Sequence, residues 1–287
     1  MPTEMSRNHI ITPDLLPAFL EFLHEEEKGD NTIQKYVRYT REFLVWLNGA
    51  PATKAAAMAW KDALQSSGQY EPTTVNAKIA SINAFFKFAG WEECQIKALR
   101  LQHRVFRDTN RDLTIEEYRR LVDAAAAKGD HQLALVMETL CATGIRVSEL
   151  KYITVEAVAN KQAVISLKGK VRTIILPGKL CRKLQKYIRK NKIASGEVFL
   201  TRSGKGMSRR LIWEKMKRLC QAAGVEPSKV FPHNLRHLFA QSYYTVYHDI
   251  AKLADIMGHS CMETTRVYLI STGAEHARQM DKLGLVS

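Results

Sequence analysis

With 287 residues, 46% hydrophobic and 25% charged, the chain can form one large domain or two ordinary ones and reads as soluble and globular. No apolar run approaches the roughly 18–20 residues that span a bilayer. Asp14 and Glu21 also interrupt the only N-terminal apolar stretch, so neither a secretion signal nor a membrane anchor is expected and the location is cytoplasmic. The net charge of +14 is unevenly spread: residues 1–106 carry 12 Lys/Arg against 12 Asp/Glu, residues 107–287 carry 31 against 17. Within 161–218 there are 18 basic residues and two acidic ones, Glu197 and Glu214. That density supplies the sequence-independent phosphate attraction of a nucleic-acid binder. The same stretch shows no strong amphipathic apolar stripe, which argues against docking on an anionic membrane.

The first hundred residues read as a compact helical bundle. Thr12-Pro13-Asp14 opens a helix carrying Leu15, Leu16, Phe19, Leu20 and Leu23 at helical spacing, closed by Gly29. Asp30 or Asn31 caps a second, with Ile33, Tyr36, Val37, Phe43, Leu44 and Leu47 on one face, ended by Gly49 and Pro51. A third is predicted over 53–66. A fourth starts at Glu71-Pro72-Thr73 and runs to Gly90, and a short fifth is predicted from Trp91 to Leu99. The polar, charged stretch that follows reads as an interdomain linker at 103–112, between an N-terminal helical domain (1–102) and a second domain (113–287).

In the second domain, Thr114 and Glu117 form the pattern of a capping box. Leu133 to Leu140 is apolar enough for a buried helix that stops before Gly144. The period then shortens. Ala163 to Leu167 and Val171 to Leu176 are β-rich and flank Lys168-Gly169-Lys170, a hairpin signal. Helices are predicted again over 179–193, 208–223, 234–246, 248–257 and 261–269, and a last amphipathic one over 273–283. The five cysteines form no C-x-x-C pair, so neither a disulfide framework nor a zinc site is indicated; Cys141 and Cys220 lie in apolar helical patterns and are expected to be buried thiols.

Polar residues cluster near the C-terminus: His233-Asn234-Leu235-Arg236, then Gly258-His259-Ser260, then Tyr268. Pro232 favours a helix start directly before His233 and Arg236, and a helix N-terminus attracts anions. Arginine binds phosphate bidentately, and tyrosine is a nucleophile that can be esterified. His233 and His237 are four apart, but the pair lacks the glutamate of a zinc-protease helix and Arg236 would repel a metal ion. Arg146 lies in Thr143-Gly144-Ile145-Arg146-Val147-Ser148-Glu149-Leu150, on a tight turn after the buried helix, with Glu149 placed to orient its guanidinium. Lys168 sits at the hairpin tip as a mobile proton donor, with Lys170 and Arg172 as competitors for that role.

Five motifs in order resemble the tyrosine recombinase (phage integrase) family, most closely its short, Xer-like members. They are the Thr143 to Leu150 segment, the hairpin lysine, the His-x-Leu-Arg-His segment at His233 to His237, Met257-Gly258-His259-Ser260, and a tyrosine nine residues after His259. Leu269-Ile270 after Tyr268 departs from the Thr-His common in relatives. The N-terminal helices match the family's core-binding domain. The resemblance implies a mainly α fold with a small β-sheet: a SAM-like helical core-binding domain plus an α+β catalytic domain with a C-terminal tether helix.

It further implies a site-specific DNA recombinase that forms a 3′-phosphotyrosyl intermediate at Tyr268. Arg146 and Arg236 would clamp the scissile phosphate and Lys168 would protonate the leaving 5′-oxygen. Phenols ionise only near pH ~10, so a proton acceptor or a strongly positive site is needed, and His233 is the candidate general base and acid. His259 would hydrogen-bond the phosphate, and Glu149 would hold Arg146 or His233. No metal or other cofactor is implied. The implied partners are double-stranded DNA and further copies of the chain, as a tetramer on two sites, or a paralogous recombinase. Two other readings stand beside it: a type IB topoisomerase-like relaxing enzyme and a non-catalytic DNA-binding protein.

Overall fold

The computed structural model describes residues 9–12, 14–101, 109–167, 170–259, 261–268, 278 and 280–283. The chain divides into two compact units, Met1–His103 and Arg104–Ser287.

In the first unit four helices follow in order: α1 (Leu15–Glu25), α2 (Asp30–Leu47), α3 (Lys54–Ser66) and α4 (Pro72–Phe88). Their apolar faces meet in one core, where Phe19, Phe43, Ile82, Phe85 and Phe86 are fully buried. Phe19 meets Phe85 edge-on with ring centroids 5.2 Å apart, and Phe43 packs against Trp60 at 5.0 Å. Lys78 of α4 is also buried. Its ammonium pairs with Glu42 and lies 4.3 Å from the Tyr70 ring and 4.9 Å from the Tyr39 ring, which offsets its desolvation. The cap of α2 is Gly29, and Asp30 is already the first helical residue, in place of the expected side-chain cap.

The predicted helix over 91–99 does not form; only a 3-10 turn, Glu92–Cys94, is present. The reason lies in α4. Asn83 donates from Nδ2 to the Ile96 carbonyl (2.8 Å) and accepts the Ile96 N–H (3.1 Å). Asn76 makes the same two bonds with Leu99, at 3.0 and 2.7 Å. Two side-chain amides thus satisfy an extended backbone that a helix would otherwise have had to satisfy.

In the second unit Thr109–Arg111 makes a 3-10 turn, and the Arg111 carbonyl accepts from Asn234 (2.6 Å). Helix α5 (Ile115–Ala127) opens on the expected capping box of Thr114 and Glu117. Helix α6 (His131–Thr143) is buried on most sides and forms the middle of the core. A 3-10 segment, Val147–Tyr152, and a short α7 (Val155–Ala159) lead into the antiparallel hairpin of β1 (Gln162–Leu167) and β2 (Lys170–Ile175). Along β2 and the residue after it, Arg172, Ile174 and Leu176 face inward and Val171, Thr173 and Ile175 outward, the period-2 alternation of a half-buried strand.

Helix α8 (Gly178–Lys190) follows, and it corrects one expectation. The basic stretch does carry an apolar stripe, Leu180, Cys181, Leu184 and Ile188, but the core buries it. The predicted helix at 208–223 is two, α9 (Arg209–Lys217) and α10 (Cys220–Ala223). The remaining helices are α11 (Pro232–Tyr247), α12 (Ile250–Met257) and α13 (Met262–Arg266). Of the predicted helix at 273–283, most residues lie outside those described. No helix among the described residues is long and apolar enough to cross a membrane.

Candidate active site

Four segments of the second unit converge on one charged cluster. The first is the turn after α6. Gly144 sits at φ +64°, the left-handed region glycine tolerates. A Cβ there would overlap the Phe239 ring of α11, with its Cε1 only 2.6 Å away. The turn therefore packs directly on α11, and its Gly144 carbonyl accepts a hydrogen bond from Arg236 Nη1.

Two residues on, Arg146 is held by Glu149. Its backbone N–H donates to Glu149 Oε2 (2.7 Å) and its Nη1 to Oε1 (3.1 Å). The Glu149 carboxylate is buried, so it is a fixed counter-ion and not a surface pairing. The second segment is β2, which supplies Arg172. Its Nη2 donates to Glu149 Oε2 (2.5 Å) and its Nη1 to the Ile256 carbonyl at the end of α12 (2.9 Å). Gly258, also at positive φ, leaves room for that guanidinium; a Cβ there would stand 2.6 Å from Arg172 Nε.

Helix α11 supplies the third segment. Pro232 occupies its first turn, and Arg236, one turn further, is 1% exposed despite its charge. Its Nη2 donates to the Met257 carbonyl (2.9 Å) and to His259 Nε2 (2.8 Å). Its Nε finds no partner among the described residues. A buried donor left open costs about 1–3 kcal/mol, and the Tyr268 hydroxyl lies near enough to the guanidinium to offset part of that. Burial and the neighbouring Arg146 both push its pKa down, yet a guanidinium keeps its proton in a protein.

The fourth segment runs from His259 to Tyr268. His259 Nδ1 lies 2.7 Å from Thr265 Oγ1. Burial, followed by the charges of Arg236, Arg146 and Arg172, pushes the His259 pKa down to about 4, so the ring is neutral near pH 7. Tyr268 is buried, its ring 4.9 Å from that of His237 and nearly parallel to that of His259. Its hydroxyl lies 3.4 Å from His233 Nε2.

Arg146, Glu149, His233, Arg236, His259 and Tyr268 are thus brought together. Lys168 lies outside the described residues, in the connection between β1 and β2. Four groups of the site were not legible as such in the sequence. Arg172 reads in the sequence as a rival proton donor, although its inward parity with Ile174 and Leu176 marks it as a residue aimed at the core. Thr265 and the Gly144 and Met257 carbonyls are contacts between distant segments, with no local signal.

Elsewhere, His9, Glu93 and Cys94 bring ligand atoms within 4.8 Å of one another. His9 Nε2 bonds Glu93 Oε1 (2.6 Å) and stacks on Trp91. The Cys94 thiol donates to the Ala52 carbonyl, and burial pushes its pKa up, which suits an internal hydrogen bond better than a metal ligand.

The arrangement is one of fixed cations and imidazoles around a tyrosine. The phage integrase family profile matches residues 111–275, and the profile of its N-terminal SAM-like domain matches 16–93. The chain is 28% identical to the tyrosine recombinase XerA of Pyrococcus furiosus, over 95% of this chain and 94% of that one. It is 30% identical to the XerA of Thermococcus kodakarensis, over 93% of each. Among solved structures, the Tn1549 transposon integrase in complex with transposon right end DNA superimposes with a TM-score of 0.71 at 19% identity, covering 94% of this chain and 99% of that one. A lambda integrase tetramer bound to a Holliday junction gives 0.67 at 19% identity, over 89% and 76%. The chain belongs to the phage integrase family. Within it, it is a tyrosine-type site-specific recombinase, an enzyme, and the topoisomerase-like and non-catalytic readings are not favoured.

Proposed function

We propose that the chain cuts and rejoins double-stranded DNA with Tyr268 as nucleophile. The observation that carries this is the convergence of Arg146, of Arg236 and of the His259–Tyr268 segment on one cationic cluster with a tyrosine hydroxyl beside it. Tyr268 Oη attacks a scissile phosphorus while His233, 3.4 Å from it, takes the phenolic proton. The bond from phosphorus to the 5′-oxygen breaks, and Lys168 protonates that oxygen. The products are a 3′-phosphotyrosyl ester and a free 5′-hydroxyl. A 5′-hydroxyl of a partner strand then attacks the ester and releases the tyrosine. Each step exchanges one phosphoester for another, so no ATP is needed.

Arg146 and Arg236 clamp the non-bridging oxygens and offset charge that builds in the transition state. Their rigidity is the useful property: both guanidiniums are tied to groups of the turn, α12 and the His259 loop before any phosphate arrives, so little reorganisation is left to do. Glu149 sets Arg146. His259 braces Arg236 through Nε2. The basic stretch 161–218 draws in the duplex.

Residues 1–102 act as a core-binding domain, 103–112 as a linker, and 113–287 as the catalytic domain, ending in a tether helix that docks on a neighbouring protomer. The working form is a tetramer on two sites in the cytoplasm, a reading supported by the lambda integrase tetramer bound to a Holliday junction. Its role is integration and excision of a mobile element or resolution of chromosome dimers. The test is a plasmid carrying two copies of the duplex site, first selected by binding from random DNA. Exchange between the sites is expected; supercoil relaxation without exchange would overturn the recombinase reading.

A further inference from the structure

We infer that Thr265 is a positioning residue that holds His259 as the Nδ1–H tautomer, with the Nε2 lone pair facing Arg236. The inference rests on the proposed role of this site and adds a residue to it. A guanidinium has donors and no acceptor. Arg236 Nη2 lies 2.8 Å from His259 Nε2, so Nε2 must accept. A neutral imidazole with Nε2 as acceptor carries its proton on Nδ1. Nδ1 lies 2.7 Å from Thr265 Oγ1, so the threonine hydroxyl accepts that proton's hydrogen bond. With the opposite tautomer, an N–H on Nε2 would face the N–H of Arg236.

Thr265 is suited to the task. It is fully buried, so no water competes for Nδ1. It stands on α13, and its carbonyl accepts the Tyr268 N–H at 3.0 Å. One residue therefore ties the protonation pattern of His259, the seat of Arg236 and the backbone of the nucleophile. Removing its hydroxyl leaves Nδ1–H with no acceptor on that side, which favours a shift of the proton to Nε2 and loosens Arg236.

The experiment uses full-length protein with 15N-labelled histidine, free of DNA, as wild type, Thr265→Val and Thr265→Ser. Wild-type His259 should show the nitrogen shifts of the Nδ1–H tautomer; Thr265→Ser should keep them and Thr265→Val should lose them. In parallel, single-turnover adduct formation on a nicked substrate should fall at least about tenfold in Thr265→Val, with DNA affinity kept within about twofold, and recover in Thr265→Ser. An Nε2–H tautomer in wild type, or an unchanged tautomer and rate in Thr265→Val, overturns the inference. Equal loss in the serine variant does the same, since it assigns the effect to the methyl group. If wild type forms no adduct, the functional reading fails while the tautomer measurement still decides the role of Thr265. If Thr265→Val does not fold, the wild-type and serine spectra decide it alone.

Discussion

Replacing Gly144 by alanine tests how tightly the Arg146 turn is locked onto α11. Two costs add. Gly144 has φ +64°, and a non-glycine residue in that region loses about 1–2 kcal/mol. The new Cβ would stand 2.6 Å from Phe239 Cε1 and 3.1 Å from Cγ, so the ring must move within a packed core. Overpacking of that kind costs about 1–3 kcal/mol. The sum is about 2–5 kcal/mol, or a drop of about 5–20 °C in Tm for a unit of this size. Gly129 supplies the control. It also has positive φ, +75°, but open space where a Cβ would go, so Gly129→Ala should lose only the backbone part. Thermal melts of wild type and both variants give the two terms separately. Covalent trapping on a nicked substrate should fail in Gly144→Ala at temperatures where it is still folded, because the carbonyl that seats Arg236 has shifted. Equal melting temperatures for the two variants would refute the packing argument.

Other outcomes follow from the same geometry. The His259 pKa is depressed from 6.5 to about 4, so between those values the unfolded chain binds a proton that the folded one refuses. Stability should be insensitive to this group above pH ~6.5 and fall toward pH ~4, by up to about 3 kcal/mol. The difference between wild type and His259→Gln in chemical denaturation against pH isolates it, and identical curves would contradict the assignment. Arg172→Met removes bonds to Glu149 and to the Ile256 carbonyl and should cost about 1–3 kcal/mol. It also removes a cation near His259, so the histidine should titrate higher by NMR. Asn83→Ala removes both bonds to Ile96 and should destabilise the N-terminal unit by about 2 kcal/mol, with faster amide exchange at Ile96.

Where the information was local, the sequence was readable. Apolar spacing placed α1 to α4, the Thr114 and Glu117 pattern placed the start of α5, and the β-rich runs around Gly169 placed β1 and β2. Arg146 and Glu149 were paired from their spacing alone, because three residues on a tight turn leave few other geometries. What was missed depended on distant segments. Residues 91–99 look helical until Asn76 and Asn83, about one and three turns into α4, take up their backbone groups. The apolar stripe of α8 is hidden among many lysines and arginines. Of the two partners that the sequence offers Glu149, Arg146 is the one it holds, and Arg172 joins from a strand position 23 residues away. Nothing near Thr265 announces that it faces His259; only the folded loop brings them to 2.7 Å.

The central claim is that Tyr268 is the atom donor to DNA, with Arg146 and Arg236 holding the phosphate. The most direct measurement traps the protein on a nicked suicide duplex, digests the denaturation-resistant adduct, and locates the nucleotide-bearing peptide by mass spectrometry. The nucleotide should be on Tyr268, linked through a 3′-phosphate, and Tyr268→Phe should bind the duplex without forming an adduct. An adduct on another residue, or equal trapping by Tyr268→Phe, would contradict the account.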